Sequence, residues 1–459
     1  MRRIAYASPL NPAPSGISDY SEELLPFLAQ YAEIVPYADD DLRPTNPDLL
    51  RHMPPRPLGR LARDHQRQPY DAIIYHMGNS PVHAGIWRAM QRTPGVLVLH
   101  ELVLHHFMLN YAATVRRDVE GYRAEAARRY GAEGARVAGL MMRGRFVEAA
   151  FELPFCEPVL ATAEGLIAHS QYVLSGARAL RPGLPAAHVP MGVPLPPAIP
   201  RAEARARLGL PPGALILASF GHINPYKRVD AVLRTLQTLR ESQPNLRYIL
   251  VGSVSANYDL PAVIARSGLE QSVSATGYVD RAAFEDYVAA ADICVNLRHP
   301  TAGETSASLL RLLGAGKPTL VTASGSFAEM PPGVAAQVDL DRSEADLILA
   351  YCRLLAERPD LATSMGAAAG YMRFLAERYG WEPPQVLRDP LWQLPQHAPL
   401  APASRHATAP QSPAPPAELA ASPAALLPVA AAIAELGAHE SDRALLESAA
   451  RAIAELKLI

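Results

Sequence analysis

Residues Ala214–Asp230 read ALILASFGHINPYKRVD. A short apolar run ends at Phe220, a loop with glycine and proline follows, and a helical pattern opens where Lys227 and Arg228 stand. Strand, loop and helix in that order form the repeating unit of a parallel sheet covered on both faces. Downstream the unit recurs in LRYILVG, VSATGY, DICVNLR and PTLVTA. Upstream it appears in RRIAYAS, YDAIIYHMG, GVLVLH and GLIAHS. Between the two series lies HVPMGVPLPPAIPRAEARARLGLPPG, whose dense prolines put a domain boundary near residue 196. The expected class is therefore α/β, with parallel-sheet domains over residues 1–195 and 196–392.

The first domain carries a helix expected at roughly Ser18 to Tyr31, where Asp19 and Glu22 have end-capping spacing and Leu24, Leu25 and Leu28 make an apolar face. A helical insertion is expected at about 114–161, with Arg116, Arg117, Arg123, Arg128, Arg129, Arg136, Arg143 and Arg145 interleaved with acids. It reads either as a solvated helical face or as a docking face for an anionic lipid or polymer acceptor. After Trp392 the chain turns to Pro, Ala, Ser and Gln, which reads as a linker over 393–424. A helical tail is expected over 425–459, with Ser441 as a cap and Leu445, Leu446, Ala449, Ile453 and Leu456 as its apolar face. No repeat with a period of about 20–50 residues accompanies the duplicated fold type.

The chain has 459 residues, 49% hydrophobic and 19% charged, enough for more than one core. A net charge of -2 gives no basic field for nucleic acid. Cys156, Cys294 and Cys352 have no metal-type or redox-type spacing, which points to a reducing, cytoplasmic home. The N-terminal MRRIAYASPL reads as a first strand rather than a signal peptide. No apolar run nears the ~18 residues of a membrane span, which leaves peripheral contact with a membrane open.

Four stretches carry candidate chemistry. In SPLNPAPSGISDYSEELL, Gly16 precedes a helix start, where a phosphate can approach bare backbone N–H groups; an ordinary turn glycine is the plainer reading. His100 ends the strand GVLVLH at the carboxyl edge that faces a ligand crevice, and reads equally as a structural histidine. The spacing to His105 and His106 is not that of an H-E-x-x-H metal site. Lys227 and Arg228 at a helix start suit a diphosphate, against the plain reading of a solvated pair.

Gly303–Pro318, GETSASLLRLLGAGKP, is the fourth. Ser306 is placed to cap a helix from Ala307, leaving the N–H groups of Ser308 and Leu309 for an anion or a sugar hydroxyl. Glu304 can accept hydrogen bonds from sugar hydroxyls. Arg311 interrupts a leucine face near the helix start, an unfavourable end for a cation. It either snorkels outward, reaches a ligand, or pairs with Glu304.

Taken together, SPLNPAPSGISDYSEELL, VLVLHE, FGHINPYKRVD, VGSVSANYDLPAVI, TGYVDRAAFEDYVAAADICVNL and GETSASLLRLLGAGKPTLVT resemble, in their order, glycosyltransferase family 4. These are retaining enzymes of the GT-B fold, two Rossmann-like domains facing a cleft. The resemblance covers roughly residues 1–385. It implies a nucleoside-diphosphate sugar donor on the second domain, a glycan or lipid-linked acceptor on the first, and a role in polysaccharide or glycolipid assembly. It implies no metal, no cofactor and no nucleic-acid partner.

By position, Gly16 would approach the donor phosphates, His100 the donor sugar, and Lys227 the diphosphate, with Arg228 assisting. Gly277, Tyr278 and Val279 would hold the nucleobase. Gly221, His222, Thr305, Ser306 and Arg311 join the donor-binding set, and His100, Lys227 and Glu304 the catalytic one. Two departures stand out. His222 follows Gly221 where the family usually has arginine. The family's two glutamates, eight positions apart, fall on Gly303 and Arg311, so the first is displaced to Glu304 and the second, which would hold the ribose, is missing. An epimerase-like enzyme of the same architecture and a non-catalytic sugar-nucleotide binding subunit are the alternative readings.

Overall fold

The computed structural model describes residues 2–368, apart from 146, 147, 195 and 332. The expected linker over 393–424 and tail over 425–459 lie outside the described residues. The first sheet has the strands β1 (Arg3–Ala7), β2 (Glu33–Ala38), β3 (Arg56–Pro57), β4 (Ala72–Met77), β5 (Gly95–Leu99), β6 (Ala163–Ala168) and β7 (Ala186–His188). The second has β8 (Ile216–Phe220), β9 (Arg247–Val251), β10 (Val273–Gly277), β11 (Ile293–Asn296), β12 (Thr319–Thr322) and β13 (Ala336–Val338). All strand pairs are parallel.

The strand orders are β3-β2-β1-β4-β5-β6-β7 and β10-β9-β8-β11-β12-β13. Each order reverses once, between β1 and β4 and between β8 and β11. Outside the carboxyl ends of the strands at such a point, crossovers leave in opposite directions and open a crevice. The residues delivered there are the loop before Gly16, His76 at the end of β4, Gly221 after β8, and Arg298 after β11.

Of the nine strand-like runs in the sequence, every one holds a strand. The strand β2, EIVPYA, escaped notice because Pro36 interrupts it. Proline is tolerated because the two-residue neighbour β3 pairs only with Tyr37 and Ala38, so Pro36 sits on an effective edge.

The helices that matter below are α1 (Gly16–Leu28), α2 (His105–Tyr111), α3 (Val119–Met142), α4 (Gln171–Leu180), α5 (Val229–Ser242), α6 (Arg281–Ala290) and α7 (Ala307–Gly314). Helix α1 starts before the expected Ser18. Ser15 caps it by accepting from the Ile17 N–H at 3.2 Å, while Asp19 and Glu22 are drawn off to Asn11. Helix α3 breaks at Gly131, where φ is +64°. Its arginines are met on their own helix: Arg128 and Arg129 by Glu125, Arg136 by Glu133. That local neutralisation is the pattern of a solvated face. No helix among the described residues is long and apolar enough to cross a membrane.

One apolar cluster joins the two sheets. Tyr20 of α1, Met191 and Val193 of the connection, and Leu309, Leu310 and Leu313 of α7 are buried together. The leucine face of α7 thus packs across the junction, which explains why so short a helix is so apolar.

Candidate active site

The first domain brings three histidines to adjacent strand ends. His76 lies in β4, and His100 and His169 follow β5 and β6 directly. His76 Nδ1 is 2.9 Å from His100 Nε2. His169 Nδ1 donates to the Val189 carbonyl at 2.8 Å, which fixes its tautomer. Tyr20 lies edge-on to His100 and His169, at centroid distances of 5.3 and 5.4 Å. Burial drives all three basicities down: His169 to about 4, His76 and His100 well below the usual histidine value. His100 Nδ1 and the Nε2 atoms of His76 and His169 have no hydrogen-bond partner among the described residues. His100 is 4% exposed, so it is a neutral imidazole at the floor of the crevice.

The second domain faces it with cations. Lys227 sits on the turn Pro225–Lys227, is 6% exposed, and donates to the Phe220 carbonyl. Burial, aided by the Arg298 guanidinium and opposed by Glu304, lowers its pKa to about 7. A methyl group on Gly221 would sit 3.3 Å from Ser308 Oγ and 3.4 Å from Lys227 Nζ, so the backbone opens directly onto both. Gly16, at the start of α1 in the first domain, has nothing among the described residues within 4 Å of the position its Cβ would take. His222 is exposed and bonded through Nδ1 to Ser253 Oγ at 2.9 Å. Val279 packs beside Phe284, while the Tyr278 ring is 84% exposed.

Arg228 does not stand beside Lys227. Its left-handed backbone, φ 56°, starts α5 and turns the side chain to Glu344, a carboxylate 5% exposed that requires a counter-charge. The second cation near Lys227 is Arg298, whose Nη1 lies 2.8 Å from Glu304 Oε1. Sequence reasoning passed over Arg298, His76, His169 and Glu101. The signal was present: each lies at the carboxyl end of a parallel strand, as His100 does, and the rule applied to His100 reaches them equally.

The stretch Gly303–Pro318 differs from expectation in three ways. Ser306 caps α7, but it takes the Leu309 N–H at 3.2 Å, which removes that group from those a ligand could use. Glu304 is tied down by its own loop, accepting from Thr301 Oγ1 at 2.8 Å and the Ala302 N–H at 2.9 Å besides pairing with Arg298. Arg311 pairs not with Glu304 but with Glu23 of α1, at 2.5 and 2.6 Å to its two oxygens. Arg281 of α6 reaches the same carboxylate at 2.6 Å. The geometric reason is that α7 packs on α1, so a residue in its second turn faces the first domain.

Gly303 also has a cause. Its φ is +83°, and a Cβ there would meet the Tyr172 ring at 2.6 Å. The neighbouring Ala302 carbonyl accepts from the Leu102 and Val103 N–H groups of the first domain at 2.8 and 3.0 Å. A glutamate fits neither the backbone nor the space. Thr305 Oγ1, Arg298 Nε, Asn224 Oδ1 and Asn296 Nδ2 are buried without a hydrogen-bond partner among the described residues, leaving polar capacity around the cations.

The two facing parallel-sheet domains are the GT-B fold. Sucrose-phosphate synthase from Thermosynechococcus elongatus superposes with a TM-score of 0.58 at 18% identity, over 84% of this chain and 98% of that one. Anabaena HepE in complex with UDP-glucose superposes with a TM-score of 0.56 at 17% identity, over 83% and 96%. Residues 214–357 match the family model described as Glycosyl transferases group 1, so the second sheet belongs to a domain of that kind. The D-inositol 3-phosphate glycosyltransferase of Streptomyces scabiei is 32% identical over 204 residues, 40% of this chain. That of Kineococcus radiotolerans is 34% identical over 215 residues, 42% of this chain. The chain spans 43% and 48% of the length of these two relatives.

Proposed function

We propose that the protein is a glycosyltransferase that moves a sugar from a nucleoside-diphosphate sugar to an acceptor hydroxyl in the cleft between the domains. The observation that carries this is that Lys227 and Arg298 act on each other at the carboxyl ends of β8 and β11, with Lys227 against the bare backbone of Gly221. Breaking the anomeric bond puts negative charge on the leaving diphosphate. Two preplaced cations and the backbone N–H groups of the Gly221 and Gly16 loops can stabilise that charge. Similarity to HepE, whose solved forms hold UDP and UDP-glucose, supports a uridine nucleotide as the first donor to try. Relatives named for D-inositol 3-phosphate make that compound a first acceptor, beside glycan and lipid-linked ones.

Retention at the anomeric carbon and independence of a metal belong to the proposal. They are tested by the anomeric configuration of the product and by turnover in a chelator. The decisive experiment is UDP binding by calorimetry together with UDP release from UDP-glucose. Lys227→Ala is expected to cut kcat/KM by about 10–100-fold, the worth of one charge-assisted contact. Unchanged kinetics would remove Lys227 from the site. Conversion of the donor to an epimer, or binding without turnover, would favour the epimerase-like or the non-catalytic reading instead.

A further inference from the structure

Glu304 was the carboxylate expected to work in the cleft, yet both its oxygens are engaged, Oε2 by Thr301 and Ala302 and Oε1 by Arg298. The other carboxylate in the cleft is Glu101, which follows His100 beyond the end of β5. One oxygen, Oε1, accepts from the Asn79 N–H at 2.7 Å. Asn79 is itself fixed, since its Oδ1 accepts from the Phe107 N–H of α2 at 2.8 Å. The carboxylate lies over Gly78, where a methyl group would sit 3.0 Å from Oε1, 3.2 Å from His83 Nε2 and 2.8 Å from Ile17 Cδ1. The second oxygen, Oε2, has no hydrogen-bond partner among the described residues. The next residue, Leu102, donates to Ala302 of the second domain, so the seam between domains holds Glu101 against the loop of Glu304.

We infer that Glu101 is a catalytic residue whose free oxygen receives the proton of the attacking acceptor hydroxyl. The inference rests on the transferase reading above. In that step the acceptor O–H bond and the bond from the anomeric carbon to the diphosphate oxygen break. The bond from the acceptor oxygen to the anomeric carbon forms, the nucleoside diphosphate leaves with the electron pair, and Glu101 carries the proton until solvent takes it. Three features suit the role. Glu101 stands on the acceptor's domain, its bonded oxygen is aimed by Asn79, and the histidines around it are neutral and do not compete for the proton.

Burial, and then the Glu304 carboxylate, push the Glu101 pKa up to about 7, against the Asn79 N–H and Arg298. A general base works best with a pKa near the working pH. The groups that face it are Asn79 and His83 from the stretch after β4, Ile17 from α1, and Glu304 and Arg298 from the second domain. A base is active when deprotonated, so turnover should fall as pH drops below about 7.

The test uses the full chain, UDP-glucose as donor, and water in the acceptor's place. For wild type, kcat at saturating donor should show an acid limb near pH 7. Glu101→Gln should lose that limb and turn over about 100-fold more slowly at pH 8, while its UDP affinity and thermal midpoint stay within error. Glu101→Ala should be restored in part by added formate, which a merely structural role would not allow. A Glu101→Gln enzyme with full rate and an intact acid limb overturns the inference and leaves the transferase reading standing. A wild type that neither binds UDP nor releases it from UDP-glucose overturns that reading, and the inference with it.

Discussion

At the scale of single residues, Lys227 and Arg228 show how neighbours in sequence part company. The two cations adjoin in the chain, but only Lys227 turns to the cleft, while Arg228 neutralises Glu344. Arg228→Ala is therefore expected to cost about 2–3 kcal/mol of stability, by leaving a buried carboxylate unpaired, and to leave UDP affinity unchanged. Arg298→Ala should weaken UDP binding, besides whatever stability its pair with Glu304 contributes. Paired urea denaturation and UDP titration separate the two outcomes. Lys227 makes a second prediction. Its pKa near 7 in the free protein rises once a diphosphate lies beside it, because an opposite charge favours the ammonium. At pH 8 UDP binding should thus take up a proton, seen as a dependence of binding heat on the ionisation enthalpy of the buffer. In Lys227→Met that dependence should vanish.

At the scale of elements, the strand ends of the first sheet and the helical turns that follow them carry buried histidines that folding keeps uncharged. His83, His105 and His169 are each held at about 4, chiefly by burial. In the unfolded chain each returns to about 6.5. Between those values the unfolded state binds more protons than the folded one, so stability is full above about pH 6.5 and is lost as pH falls. Each such histidine costs about 1.4 kcal/mol per pH unit through that window. The urea midpoint should therefore drop steeply from pH 7 to pH 5. A flat profile would show that the histidines take up protons while buried.

At the scale of the whole molecule, Glu23 is one point where charges of the two domains meet. Both Arg281 and Arg311 converge on it, and Glu23 and Arg311 are largely buried, so salt screens this contact less than a surface pair. Arg311→Glu sets two carboxylates within contact distance across the junction. It should open the cleft, raising the radius of gyration in solution scattering and weakening UDP binding. Adding Glu23→Arg together with Arg281→Gln to that variant should restore both, since the pair is then re-formed with its signs exchanged and Arg281, which also reaches position 23, no longer opposes it. Failure of the triple variant to recover would show that the leucine face of α7, and not the ion pair, sets the closed arrangement.

The sequence by itself determined the layered plan. Apolar runs such as ILASF and GVLVL must be buried on both faces, and Pro- and Gly-rich connections mark where one series stops and the next starts. It also placed His100, Lys227 and the Ser306 cap, because strand ends and helix starts are local features with local signals. What only the tertiary structure decided is which of those groups meet. Glu304 was read as a free acceptor because its partners, Arg298 and the folded loop from Thr301, become visible only when the chain closes on itself. Arg311 was set against Glu304 because the two are close in sequence, yet its partner Glu23 lies 288 residues away. Glu101 was weighed beside His100 only as part of a metal motif that the spacing rejects, because the significance of its free oxygen depends on Asn79 and on a second domain. Contacts across a cleft join residues that no periodicity relates, and the packing of α7 on α1 is what brings them together.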